Sequence, residues 1–541
     1  MRAATTLGLV LSLAASVARA TPGPDTTVVV ANANVPESVA LARRYAGARG
    51  VPDAQVCLLD VEDVEDLELE AYEAQVLGPL RACLDRTVGA RARMEAAVLI
   101  RGMPLRVRVA TGASPDVVSL AAALGLWETT AMGRPLLGAP PGMSAMCGAT
   151  PCYAAAWPNP YRGFPFEPGW SLERSGVTWR PLLVTMLHGR SFEDAARLLE
   201  SALAAEARPP AGELLFMDGA DPARGALDAQ YDAVIAALAG LDLTATRAPF
   251  DANLTGRTLA GFVTGTASLG ETIEGNTFSP GALTDNLTSF GAVPANFRAS
   301  GEQQVSIARW VAQGVAGAHG TVAEPLNNCF PNRRFFVEYA LGATLAEAYL
   351  SMMPFVYWQN LVLGDPMAAP YARRPALTVD GVADGAPLAA PVRVEVGATD
   401  PSGYGVESVA ALLDGVEVAR EEGDALTLCL APGAAGGPER HLLIVARAAA
   451  DPEERYVWKP KGWVALRVRA ELAGCPAPDA GVPGDDGGAS ALDASVALDA
   501  GDGAGGDGCA CRAAAPSRGG PGALGALALL ALTTRRRPRA N

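Results

Sequence analysis

The sequence predicts an α/β protein with a doubly wound, mostly parallel sheet, followed by a small β-sandwich. Three observations predict it. Between residues 27 and 363 short apolar runs alternate with amphipathic helical stretches, the pattern of parallel strands joined by right-handed crossovers. From residue 376 the texture changes to short β-rich runs with turn residues such as Asp414-Gly415 between them. The 541-residue chain is also half hydrophobic with 19% charged residues, so it has ample apolar surface to bury and is not a disordered chain.

The Val-rich run 27–31 reads as a buried strand. Residues 36–50 place Val39, Leu41, Ala42 and Tyr45 at helical spacing and close on Gly50, with Pro52 beyond. A strand over 55–60, a helix over 67–84 and a strand region over 97–109, broken by Gly102 and Pro104, follow. Residues 131–176 interrupt the alternation with many Gly, Pro, Met and aromatic residues, an insertion of the kind that is functional or covers a sheet edge. Strands at 182–187, 213–217, 259–263, 315–322 and 360–363 then alternate with helices at 192–207, 227–241, 303–313 and 334–352. These give one α/β domain over residues 21–372. Runs at 376–379, 392–396, 409–413, 416–419, 426–430, 441–448 and 464–468 predict an immunoglobulin-like sandwich over 373–471, with a spacer role.

The two ends read as addresses. Arg2, the apolar run 7–17 and Ala18-Arg19-Ala20 make residues 1–20 a signal peptide, with processing between Ala20 and Thr21. Residues 472–508, nearly all Ala, Gly, Pro, Ser and Asp, form an acidic linker that cannot bury enough apolar area to order itself. Residues 509–541 then run from Cys509-Ala510-Cys511 through the short apolar segment 524–532 to Arg535-Arg536-Arg537-Pro538-Arg539. An apolar segment followed by arginines is a stop signal, too short for a stable span. This order resembles the MYXO-CTERM sorting signal of myxobacterial surface proteins. The resemblance implies processing near Cys509 and Cys511 by a C-terminal sorting protease, and retention at the cell surface. The expected partners are therefore the export machinery, that protease and the cell envelope. A net charge of −15 excludes a large basic surface for nucleic acid.

Of the nine cysteines, seven precede the tail: Cys57, Cys83, Cys147, Cys152, Cys329, Cys429 and Cys475. The short spacing of Cys147 and Cys152 in a loop-rich stretch predicts a local disulfide. The three histidines are His188, His319 and His441; the last falls in the sandwich and reads as structural. His188 and His319 each follow an apolar strand and precede Gly, where a general base sits on an α/β sheet. His319 lies ten residues before Cys329 and could meet it around one loop, although Asn327-Asn328 reads as a plain turn. Asp218 and Asp251 follow strands and are candidate acids, against the commoner role of capping a turn. Ser289 is a candidate nucleophile without an assigned base. Nucleophile-elbow, phosphate-loop and zinc-helix motifs are missing, so no cofactor or metal is expected and the ligand is left open.

The body also carries combined motifs: Val28 through Ala40 (VVVANANVPESVA), Leu287-Thr288-Ser289-Phe290-Gly291, Gly320 through Pro325, Thr344-Leu345-Ala346-Glu347-Ala348-Tyr349 and Leu363-Gly364-Asp365-Pro366. Together they resemble an uncharacterised family of exported bacterial proteins found alongside exosortase systems, a family with no activity to carry over. The last two also resemble the closing part of gingipain-like cysteine peptidases, which implies a caspase-like α/β sheet. Those enzymes need His-Gly after one strand and Cys after the next. Here the matching positions are Thr264-Gly265 and Thr288-Ser289, and His188 stands where the exported family is expected to carry Asp. The resemblance therefore implies the fold more than the peptidase chemistry. The expected function is a noncatalytic binding or structural protein at the cell surface. The alternative is a divergent hydrolase using His188, Asp218, Asp251, Ser289, His319 or Cys329.

Overall fold

The computed structural model describes residues 22–108, 117–128 and 182–475, less a few short interruptions in the last stretch, with short strands within 157–179. These belong to one compact unit. The predicted processing positions Ala20, Thr21, Cys509 and Cys511, the Cys147/Cys152 pair, most of the 131–176 insertion and the tail lie outside the described residues.

A ten-stranded sheet forms the centre. Its strands are β1 (Thr27–Asn32), β2 (Val56–Leu59), β3 (Ala96–Ile100), β4 (Leu183–Leu187), β5 (Glu213–Met217), β6 (Ala245–Ala248), β7 (Thr258–Thr264), β8 (Thr277–Asn286), β9 (Gly317–Thr321) and β10 (Asn360–Gly364). Their spatial order is β6-β5-β7-β8-β9-β10-β4-β3-β1-β2. Every neighbouring pair is parallel except β9 and β10, which run antiparallel with His319 opposite Val362. The sheet is thus two parallel halves of five strands, each in the order 2-1-3-4-5 of open α/β sheets. The chain completes the second half before returning to add β10 to the first. Because the halves meet antiparallel, their strand carboxyl ends lie on opposite edges.

Burial on both faces explains the continuous apolar runs: all residues of β1, β3 and β4 are buried. Helix α1 (Pro36–Arg49) starts with Pro at its first position and stops at Gly50, whose φ of 70° is the left-handed C-terminal cap. Helices α2 (Gly78–Leu84), α3 (Leu120–Gly125), α4 (Phe192–Ala204), α5 (Tyr231–Ala239) and α6 (Ile307–Ala312) pack along the sheet.

Several expectations need correction. The predicted helix over 334–352 is two helices, α7 (Phe335–Ala340) and α8 (Leu345–Met352). Gly342, at φ 101°, ends the first turn of chain. Thr344 and Glu347 form a capping box that starts the second. The predicted 67–84 helix is preceded by a strand, Asp66–Glu68, which joins Arg106–Arg108 and Val117–Ser119 in a small sheet. The sequence reading passes over β8 because Ser279-Pro280-Gly281 looks like a turn. The chain instead bulges there, shifting register between Leu259 and Gly261, and carries on as a strand. The edge strand β6 is also passed over, having little apolar character.

Beyond the sheet come β11 (Ala376–Asp380), β12 (Val392–Thr399), β13 (Val406–Leu413), β14 (Val416–Glu422), β15 (Ala425–Pro432), β16 (Arg440–Ala448), β17 (Lys461–Val468) and β18 (Ala470–Leu472). They form two antiparallel sheets, β11-β12-β15-β18 and β14-β13-β16-β17. Val394, Val396 and Leu428 of the first share one core with Val409, Leu442 and Ile444 of the second. Disulfides join Cys57 to Cys83 and Cys429 to Cys475. Spacing did not flag these pairs, because 26 and 46 residues separate the partners and only the fold brings them together. Among the described residues no helix is long and apolar enough to cross a membrane.

Candidate functional site

In open α/β sheets, ligands gather outside the strand carboxyl ends where the strand order reverses. Each half has such a point, and each is closed by the chain's own groups. In the first half it lies between β1 and β3. There Asn32 donates its side-chain amide to the Gly102 carbonyl at 2.9 Å, and Ser38 Oγ accepts from the Asn32 N–H at 3.2 Å. In the second half, between β5 and β7, the Ala220 N–H bonds the Gly265 carbonyl at 2.8 Å. A Cβ on Gly265 would sit 2.0 Å from the Arg224 carbonyl oxygen, so the loop after β5 lies directly on the end of β7. Asn286 accepts from the Thr266 N–H at 2.8 Å and donates back to its carbonyl at 3.0 Å, tying the ends of β7 and β8 together.

The predicted residues scatter. His188 does end β4, but its ring is buried against Phe297, and the Arg101 guanidinium lies 3.4 Å from both ring nitrogens. Burial, reinforced by that cation, pushes its pKa well below the ordinary value. It is a neutral ring held beside a guanidinium. Asp218 ends β5 and pairs with Arg247 at 2.8 Å on the opposite edge of the sheet. Asp251 is exposed and its carboxylate accepts the Asn253 N–H at 2.9 Å, a turn cap.

His319 is not at a strand end, as the sequence suggests, but inside β9, because Gly320-Thr321 continues the ladder. It is fully buried. Its Nδ1 lies 2.6 Å from Asp285 Oδ1 and its Nε2 lies 3.0 Å from Asn360 Oδ1. Asp285 also takes the buried Arg333 guanidinium as partner. Burial opposes ionisation of Asp285, yet Arg333 and His319 hold its carboxyl below the usual range. Cys329 is buried nearby, and its backbone carbonyl accepts the Asn360 amide at 3.2 Å. The structure thus brings the His319 and Cys329 segments together through Asn360, with both ring nitrogens engaged and no solvent access. The sequence reading missed Asp285, Arg333 and Asn360. Only the apolar context of an Asp, Arg or Asn could have signalled them.

Ser289 is different. It follows β8 and donates to Glu324 Oε1 at 2.7 Å, and Glu324 lines an open cleft of about 680 Å³. One wall is the small sheet, with Glu65, Asp66, Arg106 and Arg108; the other comes from the segments after β8 and β9, including Phe290, Arg298, Gln303 and Glu324. Arg106 grips Asp66 with Nε at 2.5 Å and Nη2 at 2.9 Å, and Arg108 shares the same carboxylate at 2.9 Å. Arg298 reaches Glu65 Oε1 with Nε at 3.1 Å and Nη2 at 2.6 Å. Phe290 and Gln304 take left-handed backbone, at φ 64° and 54°, which is strained for such side chains. Among the described residues no three His, Cys, Asp or Glu side chains assemble into a metal site. When the chain is compared with known proteins, no family model matches it, and no curated protein is significantly similar to it.

Proposed function

We propose that this chain is an exported, surface-retained protein that binds or scaffolds rather than catalyses. In this reading a gingipain- or caspase-like α/β domain, related to the uncharacterised exported family, stands on an immunoglobulin-like sandwich. A MYXO-CTERM-like tail brings it to the envelope. One observation carries the noncatalytic part: at both switch points the strand ends are sealed by the chain's own backbone and amides, and His319, the best-placed base, has both nitrogens bonded and no exposure. A general base needs a free lone pair within reach of substrate. Two disulfides suit an oxidising compartment and support export.

A hydrolytic reading has one observation in its favour, the 2.7 Å contact of Ser289 with Glu324, a residue that lines an open cleft. One experiment separates the two. The purified full chain is treated with fluorophosphonate and chloromethyl-ketone probes, alongside Ser289→Ala. Absence of labelling is expected; labelling of the parent that Ser289→Ala abolishes would establish the hydrolase. The address is tested separately. Cys509→Ala/Cys511→Ala is expected to block tail processing, and an unchanged mature mass and location would refute the sorting reading.

A further inference from the structure

The cleft between the small sheet and the segments after β8 and β9 has walls that favour a particular ligand. Its volume of about 680 Å³ is within the range of small-molecule sites, and its lining is mainly polar, which disfavours a lipid or other apolar guest. Arg106 and Arg108 share the carboxylate of Asp66, and Arg108, whose side chain is 45% exposed, also lies 3.4 Å from the exposed Glu68 carboxylate, a pair that opens at little cost. Arg298 sends both Nε and Nη2 to one oxygen of Glu65, leaving its Nη1 outside that pair. The Arg298 and Glu65 side chains are 60% and 45% exposed, so opening their pair costs little. Glu65 offers this guanidinium one oxygen only, so a ligand carboxylate that takes Nε and Nη2 with one oxygen each displaces it with a net gain.

Facing them, Glu324 has a hydroxyl partner, Ser289, and no guanidinium within ion-pair distance among the described residues. Such an acceptor suits hydroxyl groups. Phe290 supplies a third kind of contact. It is bulky and partly exposed, yet held in left-handed backbone, with its carbonyl accepting from the Val293 N–H at 3.2 Å and the Asn296 amide at 2.7 Å. An aromatic residue on the wall of a polar cleft, its backbone anchored by these two hydrogen bonds, is a platform for the C–H face of a sugar ring.

We propose that this cleft binds an acidic saccharide of the uronic acid class. Its carboxylate lies on Arg298 and Arg108, its hydroxyls on Glu324, and its ring face on Phe290. The proposal rests on the binding reading above. Its failure is distinguishable from that one, because serine labelling would overturn the binding reading, whereas missing sugar affinity without labelling overturns this inference alone.

The test is calorimetric titration of the full chain with galacturonate, galactose, acetate and a galacturonate trisaccharide. Saturable galacturonate binding is expected, with galactose and acetate each weaker by about tenfold or more. Equal affinity for monomer and trisaccharide would assign the free sugar acid as ligand, and tighter trisaccharide binding the end of a polysaccharide; both support the site. Arg298→Gln should lose about tenfold in affinity. Phe290→Gly should lose affinity while its melting temperature holds or rises, since glycine relieves the left-handed strain. Arg44→Gln, which breaks a distant exposed pair with Glu200, should change nothing. No saturation up to about 10 mM, galactose or acetate binding as tightly as galacturonate, or full affinity in both cleft variants would overturn the proposal.

Discussion

At the scale of single residues, the densest chemistry in the molecule is spent on holding it together. Asp285, His319, Arg333 and Asn360 form a buried network across β8, β9 and β10. Asp285→Asn keeps the shape but leaves the Arg333 charge without its counter-ion. It should cost about 3–5 kcal/mol, read as a lower urea midpoint at unchanged slope. His441 makes a second prediction. Its ring is buried with neither nitrogen bonded among the described residues, and burial, then Arg93, pull its pKa from 6.5 to about 3 despite Asp414 and Asp384. The unfolded chain therefore binds a proton below pH 6.5 that the folded chain refuses until about pH 3. This contribution is whole above pH 6.5 and is lost as pH falls through that window. His441→Phe should flatten the acid limb of a stability–pH profile between those values, and an unaltered limb would refute the assignment. The sequence showed three histidines and their neighbours. It did not show that two nitrogens of His319 are consumed, since Asp285 and Asn360 come from strands 34 and 41 residues away.

At the scale of elements, the family-like motifs turn out to be joints. Thr344 and Glu347 form the capping box of α8, and Glu347 is fully buried. Thr344→Ala should cost about 1 kcal/mol in thermal or chemical unfolding. Asp365 of the Gly-Asp-Pro segment accepts the Tyr45 hydroxyl at 2.7 Å and pairs with Arg49, locking α1 to the end of β10. Asn32 and Ser38 bind the end of β1 to the start of α1. Strands buried on both faces and helices bounded by Pro, Gly or a capping residue were legible, because local pattern and tertiary burial agree there. Strand β8 was not, because its Pro-Gly bulge is a turn by local rules and a strand only when β7 and β9 flank it.

At the scale of the whole molecule, the sandwich meets the α/β body through a tight turn contact. A Cβ at Gly89 would lie 2.6 Å from the Cβ of Asp414, and one at Gly415 would lie 2.9 Å from the Ala92 carbonyl oxygen. Gly89 also sits at φ 70°, where a side chain is strained. Gly89→Ala should loosen this contact, so that calorimetry resolves separate unfolding transitions where the parent shows one. A single unshifted transition would refute a coupling role. The Cys429–Cys475 bridge closes the sandwich where the acidic linker begins. Replacing both cysteines by alanine should lower sandwich stability by about 2–4 kcal/mol, seen as a lower denaturation midpoint.

The sequence by itself determined the class of fold and most of its strands and helices, because apolar periodicity and turn chemistry are local and are read where they are written. Only the tertiary structure decided that the sheet is two parallel halves meeting antiparallel, which cysteines pair, and that His319 is a core residue while Ser289 meets Glu324 beside a cleft. Those facts depend on which distant segments become neighbours. Pairing across the sheet is set by the packing of the whole chain, and no window of sequence contains it.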